Sequence, residues 1–560
     1  MDHALERRRR LTQRALPALA GLAVVALAVG IGFGAAFESA AERVGARFAR
    51  AWTGADYAAM HGLLAPDIRA RYPLDAFGAL YQQTAATATA KSVRAGDPAG
   101  TRDGAVRLPV SVGTRLFGTV RGEVLLPVND EEETVAWAPH LVFPGLRPGD
   151  ELTRRSEIPE RAKIFAVDGE VLAEGPVEAR TSPPEGIGSS IAGTMAESTE
   201  EEERQALFAR GFEQSTPVGA NGLERALQRR VEGRPGGELL AGSKVLARAR
   251  PRKAGPVRST IDTDLQAAAV TALAGRLGGI AALDPQTAEV RALAGIAFSA
   301  PQPPGSTFKL VTTTAALDHD LVKPSDEFPV LSEALVDGVP LSNANGELCG
   351  GTFTQSFAHS CNSVFAPLGV EVGAERLVAT AERYGWNKPV TIPGAQESTL
   401  PKAGEMASPL EIGSTAIGQG RVLATPLQLA SVAQTFANDG VRVIPELVPG
   451  GPRKSSRVTS PRTARTIERL MVGVTEYGTG TAAAIPGVKV PGKTGTAELE
   501  DTRGPDALAS DPSNTDAWFT SYAPAVKPKI VVAVLFVRNG AGGATAAPAA
   551  RIVLEAALAR

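Results

Sequence analysis

The sequence predicts a multidomain α+β protein that carries an N-terminal transmembrane helix and ends in an antiparallel sheet covered by helices. Three observations point there. A chain of 560 residues is too long for one hydrophobic core and predicts about three domains. The uncharged run from Ala15 to Phe37, 23 residues rich in Ala, Leu, Val and Gly, suffices to cross a hydrocarbon core of ~30 Å. Beyond it, apolar residues at helical spacing give way repeatedly to short alternating runs joined by turn signals.

The elements follow in order. Arg7 to Arg10 and Arg14 precede the apolar run, and Glu38 and Glu42 follow it. This bias places residues 1–14 in the cytoplasm, residues 15–37 in the membrane and the bulk of the chain outside. A signal peptide cut near Gly34-Ala35-Ala36 is the alternative. Val44, Phe48 and Trp52 mark one helix face, and Tyr57 to Leu64 a second short helix. Val106, Leu108, Val110 and Val112 alternate, as do Val120, Gly122 and Val124, and Thr134 to Phe143 reads as a further strand. Residues 38–150 thus form a small α+β domain with no titratable cluster.

Residues 151–255 are more polar. Ile164 to Leu172 reads as a hairpin turning at Asp168-Gly169. Glu200 to Phe208 is a solvated helix, Gly222-Leu223-Glu224 opens another, and Gly233 to Gly237 stops it. Arg248 to Gly255 reads as a basic linker. From 256 to 560, strands and helices interleave. A helix spans Leu265 to Leu273, Gly278 to Pro285 pairs with Glu289 to Gly295, and Lys529 to Arg538 is a strand buried on both faces. A helix over Ala547 to Leu558 closes the chain.

Composition narrows the function. Hydrophobic residues at 43% and charged residues at 21% are ordinary for globular domains. The net charge of −2 offers nothing to nucleic acid. The five histidines (His3, His61, His140, His319, His359) show no ligand spacing, so no metal or other cofactor is expected. The two cysteines, Cys349 and Cys361, either pair across a short loop or leave Cys361 as a small buried hydrophobe.

Chemistry gathers in the last region. In Pro303-Pro304-Gly305-Ser306-Thr307-Phe308-Lys309, the prolines and glycine make a turn and Ser306 opens a helix. Lys309 lies one turn on, on the same face. An amine shielded from water is neutral enough to take the serine proton, and the helix N-terminus favours an oxyanion. A bare S-x-x-K arises by chance roughly once in such a chain. Two further motifs change its weight: Ser360-Cys361-Asn362, and Lys493-Thr494-Gly495-Thr496. Their order and spacing match serine acyltransferases that act on penicillin and D-alanyl-D-alanine.

On these motifs the chain resembles the class B penicillin-binding proteins, peptidoglycan D,D-transpeptidases. The likeness continues in Gly418-Gln419-Gly420, Ala424 to Ala430, Gly478-Thr479-Gly480-Thr481 and Asp516-Ala517-Trp518-Phe519. Residues 151–255 resemble the family's dimerisation or pedestal domain through Gly222-Leu223-Glu224 and Gly233 to Gly237. Residues 38–150 resemble, through Trp52 and Trp137-Ala138-Pro139, the nuclear-transport-factor-2-like N-terminal extension of methicillin-resistance-type members. Residues 256–560 resemble the transpeptidase domain, of the penicillin-binding and β-lactamase-like fold.

The resemblance implies a role for each residue. Ser306 is the nucleophile and Lys309 the base. Ser360 passes a proton toward the leaving amine, and Asn362 binds the substrate amide and holds Lys309. Lys493 with Thr494 or Thr496 binds the substrate carboxylate, and Gly495 leaves the strand edge open. The Ser306 and Thr496 N–H groups form the oxyanion hole. The implied ligands are peptidoglycan stem peptides and β-lactams, in a single-pass protein of the cell membrane with its catalytic domains outside. The implied partner is a polytopic glycan polymerase, because no glycosyltransferase domain fits before the pedestal. Arg161-Ala162 replaces the family's Arg-Gly, and Ala288 stands where a turn glycine is common. A β-lactamase or D,D-carboxypeptidase is the competing enzyme, and a β-lactam sensor the competing non-enzyme. The anchor and extra domains weigh against the first, and a tail of about 14 residues against the second.

Overall fold

The computed structural model describes residues 39–183, 187–450, 453–500 and 512–560. The expected anchor and the tail before it lie outside the described residues. Among those described, no helix is long and apolar enough to cross a membrane. The chain divides into two compact units. One comprises the described residues up to Ile158 together with 200–214 and 234–252; the other comprises 159–199, 215–233 and 253–560. The 151–255 stretch, expected as one region, is thus shared between them.

The first unit opens with a helix, Ala40–Thr53, begun by a capping box: Glu42 N donates to the Ser39 hydroxyl and Ser39 N donates to the Glu42 carboxylate. Val44, Phe48 and Trp52 recur every four residues and are buried together. They face an antiparallel sheet built on Ala105–Thr114 and Thr119–Asn129. Its alternating Val106, Leu108, Val110 and Val112 point inward. Phe77, Tyr81 and Trp137 fill the remaining interior, where the Trp137 indole donates to the Tyr81 hydroxyl at 2.9 Å.

Two expectations change here. The strand expected over Thr134 to Phe143 pairs only through Thr134–Val135, and Pro139–Val142 is a 3₁₀ turn. Pro139 brings no N–H to a ladder, and the apolar residues after it bury from the turn instead. Arg248, expected to begin a linker, lies within a strand, Lys244–Ala249, of a second antiparallel sheet with Gly236–Ala241 and Leu152–Glu157. There it faces Glu238 across the ladder and donates to it at 2.7 Å, so charge pairing replaces apolar alternation.

In the second unit, the expected hairpin turns at Gly169 with φ +99°. Its short strands, Ile164–Phe165 and Val171–Ala173, are joined by Val257–Arg258. Beside them lies a buried ion cluster. Glu224 accepts from Arg161 at 2.6 Å and from Arg180 at 2.7 Å, and Arg161 also donates to Gln228 at 2.8 Å.

The main sheet has five strands: β1 (Gly278–Leu283), β2 (Val290–Gly295), β3 (Gly492–Glu498), β4 (Thr515–Ala523) and β5 (Ile530–Phe536). Their order is β2-β1-β5-β4-β3, antiparallel throughout. Ala288, in the β1–β2 turn, adopts φ +53°, the left-handed conformation that a glycine takes more readily. On β5, Val532, Val534 and Phe536 face one core while Val531, Ala533 and Leu535 face another. The two cores explain the unbroken apolar run. Helices Thr263–Leu273 and Ala546–Leu558 cover the first face, and Pro426–Ala437 packs on the second. Strand β3 closes the sheet as an edge.

The ion cluster yields a prediction. Glu224→Ala leaves two buried guanidinium groups facing each other without their shared carboxylate, and should lower unfolding stability by about 3–5 kcal/mol. Removing Glu123 from its exposed pair with Arg107 should change stability little. Denaturant titration of the two variants checks the contrast.

Candidate active site

The serine turn is built by close backbone packing. Gly305 sits at φ +51° and its N–H donates to Gly418 O at 2.9 Å. A Cβ on Gly418 would fall 1.9 Å from Gly305 O, and one on Gly305 would fall 2.7 Å from Thr496 O. Glycine at both positions therefore lets the turn sit directly on strand β3. Gly305–Phe308 forms one 3₁₀ turn, and helix α1 (Lys309–Asp318) continues from it. Phe308 is buried edge-on to Trp386, with ring centroids 5.4 Å apart, which fixes the start of the helix. Ser306 is half-buried, while Lys309 is fully enclosed.

The second motif connects two helices, α2 (Phe353–Ala358) and α3 (Asn362–Val372). Ser360 adopts φ +62°, a costly conformation for a residue with a Cβ. Its neighbours hold it there. Ser360 N donates to Phe357 O at 3.1 Å and Cys361 N donates to Ser356 O at 2.9 Å. Cys361 is disulfide-bonded to Cys349, with Cα atoms 5.4 Å apart. Asn362 donates through Nδ2 to Ser342 O at 2.7 Å, which turns its Oδ1 toward Lys309.

At the centre, two lysines meet one hydroxyl. Lys309 Nζ lies 2.7 Å from Ser360 O, 2.7 Å from Asn362 Oδ1 and 3.2 Å from Ser360 Oγ. Lys493 Nζ, from β3, donates to the same Ser360 Oγ at 2.8 Å and to Thr494 O at 3.0 Å. Both lysines are wholly buried. Burial, and then the charge of Lys493, push the Lys309 amine well below the ordinary lysine range. Burial alone brings Lys493 to about 7. The pair therefore resists carrying two protons at once. The rings of Phe365 and Phe357, 5.2 Å and 5.7 Å from the two amines, soften the loss of water.

Strand β3 brings the third motif to the serine turn. Thr496 Oγ1 accepts from Gly542 N at 3.2 Å. A Cβ at Gly495 would stand 2.7 Å from Pro304 O and 3.0 Å from Thr307 Cγ2. The space that glycine leaves is thus filled by the serine turn itself. Trp518 on β4 anchors that turn from the other side, its indole donating to Pro303 O at 2.7 Å. The outer edge of β3 has no strand partner in the sheet.

The structure thus brings Lys309, Ser360, Asn362 and Lys493 into one hydrogen-bonded group and sets Gly305, beside Ser306, against Thr496. No hydrogen bond among the described residues joins Ser306 Oγ to Lys309. His359 caps α2, is exposed and has its ring near Tyr477, centroids 6.4 Å apart. Among the described residues no three His, Cys, Asp or Glu side chains gather as a metal set. Sequence reasoning did not single out Phe357, Phe365 or the hydroxyl of Thr479, which lies 2.5 Å from Thr494 Oγ1. The Gly-Thr-Gly-Thr run around 478–481 was the available signal for the last.

Comparison with known proteins agrees with this geometry. Residues 278–555 match the penicillin binding protein transpeptidase domain. The peptidoglycan D,D-transpeptidase PbpA of Mycolicibacterium smegmatis is 36% identical over 289 residues, 47% of this chain and 56% of the relative. That of Mycobacterium tuberculosis is 38% identical over 291 residues, again 47% and 56%. The chain thus spans about half the length of these relatives. Among solved structures, the D,D-transpeptidase domain of a peptidoglycan glycosyltransferase from Eggerthella lenta is 31% identical, covering 71% of this chain and 98% of that one, with a TM-score of 0.57. The M. tuberculosis penicillin-binding protein A in a ceftriaxone acyl-enzyme complex is 27% identical, covering 71% and 98%, with a TM-score of 0.57.

The lysine pair predicts a linkage between pH and stability. The Lys493 amine is held near 7 in the folded protein against an ordinary value of 10.5, so the unfolded chain binds the extra proton between those values. Stability should therefore rise with pH across that window, and Lys493→Met should flatten the rise. Urea midpoints measured at intervals from pH 7 to 10 check the sign. NMR of labelled lysines should also show the Lys309 amine titrating higher in Lys493→Met, because a neighbouring charge is gone.

Proposed function

Since this chain belongs to the penicillin-binding-protein transpeptidase family, we propose that it is a class B member that cross-links peptidoglycan stem peptides through an acyl-enzyme on Ser306. The observation that carries the reading is the buried pair of lysines sharing the Ser360 hydroxyl beside the serine turn. With one proton in the pair, Lys493 is the ammonium and Lys309 the neutral amine.

A neutral Lys309 has two N–H groups, matched by Ser360 O and Asn362 Oδ1, its two nearest acceptors. Its lone pair is then free to turn toward Ser306 and remove the hydroxyl proton as the oxygen attacks the penultimate D-alanine carbonyl. The backbone N–H groups of Ser306 and Thr496 receive the oxyanion, a role supported by the contact of Gly305 with Thr496. Ser360 Oγ, within reach of both amines, carries a proton toward the leaving D-alanine nitrogen. The acceptor amine of a second stem peptide then attacks the ester carbon and loses its proton to Lys309, which returns it to Ser306 Oγ as the ester C–O bond breaks.

Lys493 donates two of its N–H groups to Ser360 Oγ and Thr494 O, and its third is left for the substrate's terminal carboxylate, with Thr494 and Thr496 beside it. The unpaired edge of β3 suits an extended peptide laid along it. A β-lactam presents a carboxylate and a strained carbonyl to the same groups and would be trapped as the acyl-enzyme.

The placement in the cell belongs to the same proposal. The basic tail and apolar run at the N-terminus support a single-pass anchor with the catalytic domain outside. The helix-and-sheet make-up of the first unit, with Trp52 and Trp137 in its core, supports a nuclear-transport-factor-2-like extension of the methicillin-resistance type. A polytopic glycan polymerase is the proposed partner.

Intact-mass analysis of the full chain in detergent after penicillin should show one stable adduct, absent from Ser306→Ala. Rapid drug turnover without an adduct would instead indicate a hydrolase. The acylation rate should follow a bell-shaped pH profile. The acid limb reports protonation of Lys309, and the alkaline limb reports loss of the Lys493 proton, with an apparent value near 7 in the free protein. A stopped-flow pH series with a chromogenic β-lactam checks both limbs.

A further inference from the structure

The loop Tyr477-Gly478-Thr479-Gly480 lies between the second and third motifs and takes no part in the chemistry above. Thr479 N donates to Ala358 O at 3.1 Å, and its hydroxyl lies 3.4 Å from the same carbonyl. Ala358 ends α2, two residues before Ser360. The same hydroxyl lies 2.5 Å from Thr494 Oγ1 on β3. One side chain therefore bridges the element that carries Ser360 to the strand that carries Lys493. The loop has little room to shift. A Cβ at Gly478 would fall 2.3 Å from Ala358 O, and one at Gly543 would fall 2.2 Å from Thr479 O. Thr494 is buried while Thr479 is exposed, so Thr479 forms the rim over the Thr494 hydroxyl.

We propose that Thr479 is a positioning residue for carboxylate recognition, acting through Thr494. This rests on the transpeptidase reading. Each hydroxyl has one hydrogen. In the free protein the Thr479–Thr494 contact uses one of the two, and Ala358 O is the other acceptor within reach. When a carboxylate enters beside Lys493, the Thr494 hydrogen is needed for it. The Thr494 oxygen then faces Thr479, whose hydroxyl donates to it and holds the rotamer in place. Without that donor, the Thr494 oxygen has no partner and its hydrogen no preferred direction. The loss falls on ligands that carry the carboxylate and on their binding. The acyl-transfer step, which runs through Ser306, Lys309 and Ser360, is untouched.

The test uses the full chain in detergent with two acyl donors: a D-alanyl thioester ending in a free carboxylate, and the same thioester with that group as a primary amide. Saturation kinetics of acylation separate the binding constant from the acylation rate. Thr479→Val, which keeps the shape and removes the hydroxyl, should weaken binding of the carboxylate donor by about tenfold. Its acylation rate should stay within about twofold, and the amide donor should be unaffected. Thr479→Ser should restore wild-type binding. Equal losses on both donors, a loss confined to the acylation rate, or no loss at all would overturn the proposal while leaving the transpeptidase reading intact. Wild-type protein that neither donor nor penicillin acylates at Ser306 would remove that reading, and this proposal with it.

Discussion

Two amines, both cut off from water, point at one serine hydroxyl. That arrangement is unfavourable for a pair of like charges, and the site depends on the conflict. A lysine in water keeps its proton to a pH far above neutrality and is no base for a serine. Burial removes the hydration that stabilises the ammonium, and a second cation a few ångströms away raises the cost of another charge. Repulsion between two such amines is mutual, so the pair resists a second proton; burial, and then the charge of Lys493, push Lys309 far down. In the proposed mechanism Lys309 is the free amine, and Lys493 keeps the charge and faces the side on which an anion arrives. The same burial thus separates base from anion receptor without any change of residue type.

The fold supplies the constraint that keeps those amines together. Lys309 comes from the helix after the serine turn, Ser360 and Asn362 from a link between two helices, and Lys493 from the edge strand of the main sheet. Three separate elements must hold their positions to within a hydrogen-bond length. Close backbone packing achieves this on one side, where Gly305, Gly418 and Gly495 leave no gap between turn and strand. On the other side, Ser360 is held in a left-handed conformation by two backbone hydrogen bonds, with a disulfide fixing the next residue. Strain at that one residue lets its carbonyl and its hydroxyl both face Lys309.

Much of this was legible in the sequence, and the limits have physical causes. Ser306 and Lys309 stand three apart, and helical geometry alone places them on one face. The unbroken run in β5 announced burial on both sides, and Asp168-Gly169 its hairpin. The Thr134 to Phe143 strand was misread because alternation does not record where a proline removes a ladder donor. Arg248 sits on a strand because it pairs with Glu238, a cross-strand contact invisible without the register. The state of Lys493 depends on complete burial, a tertiary property that no local pattern carries. Spacing left the pairing of Cys349 and Cys361 open, and the Gly478-Thr479-Gly480-Thr481 run carried a likeness but no role for the Thr479 hydroxyl, whose partner Thr494 lies 15 residues on.

The account centres on Lys309 as a neutral base. Lys309→Arg keeps the N–H donors but stays charged, because a guanidinium cannot lose a proton near neutral pH. The rate of β-lactam acylation in this variant is the most direct measurement. The account predicts a fall of roughly 10²–10⁴-fold at saturating drug, with no recovery as the pH is raised to 9. Acylation within a few-fold of wild type would contradict it and move the base elsewhere in the site.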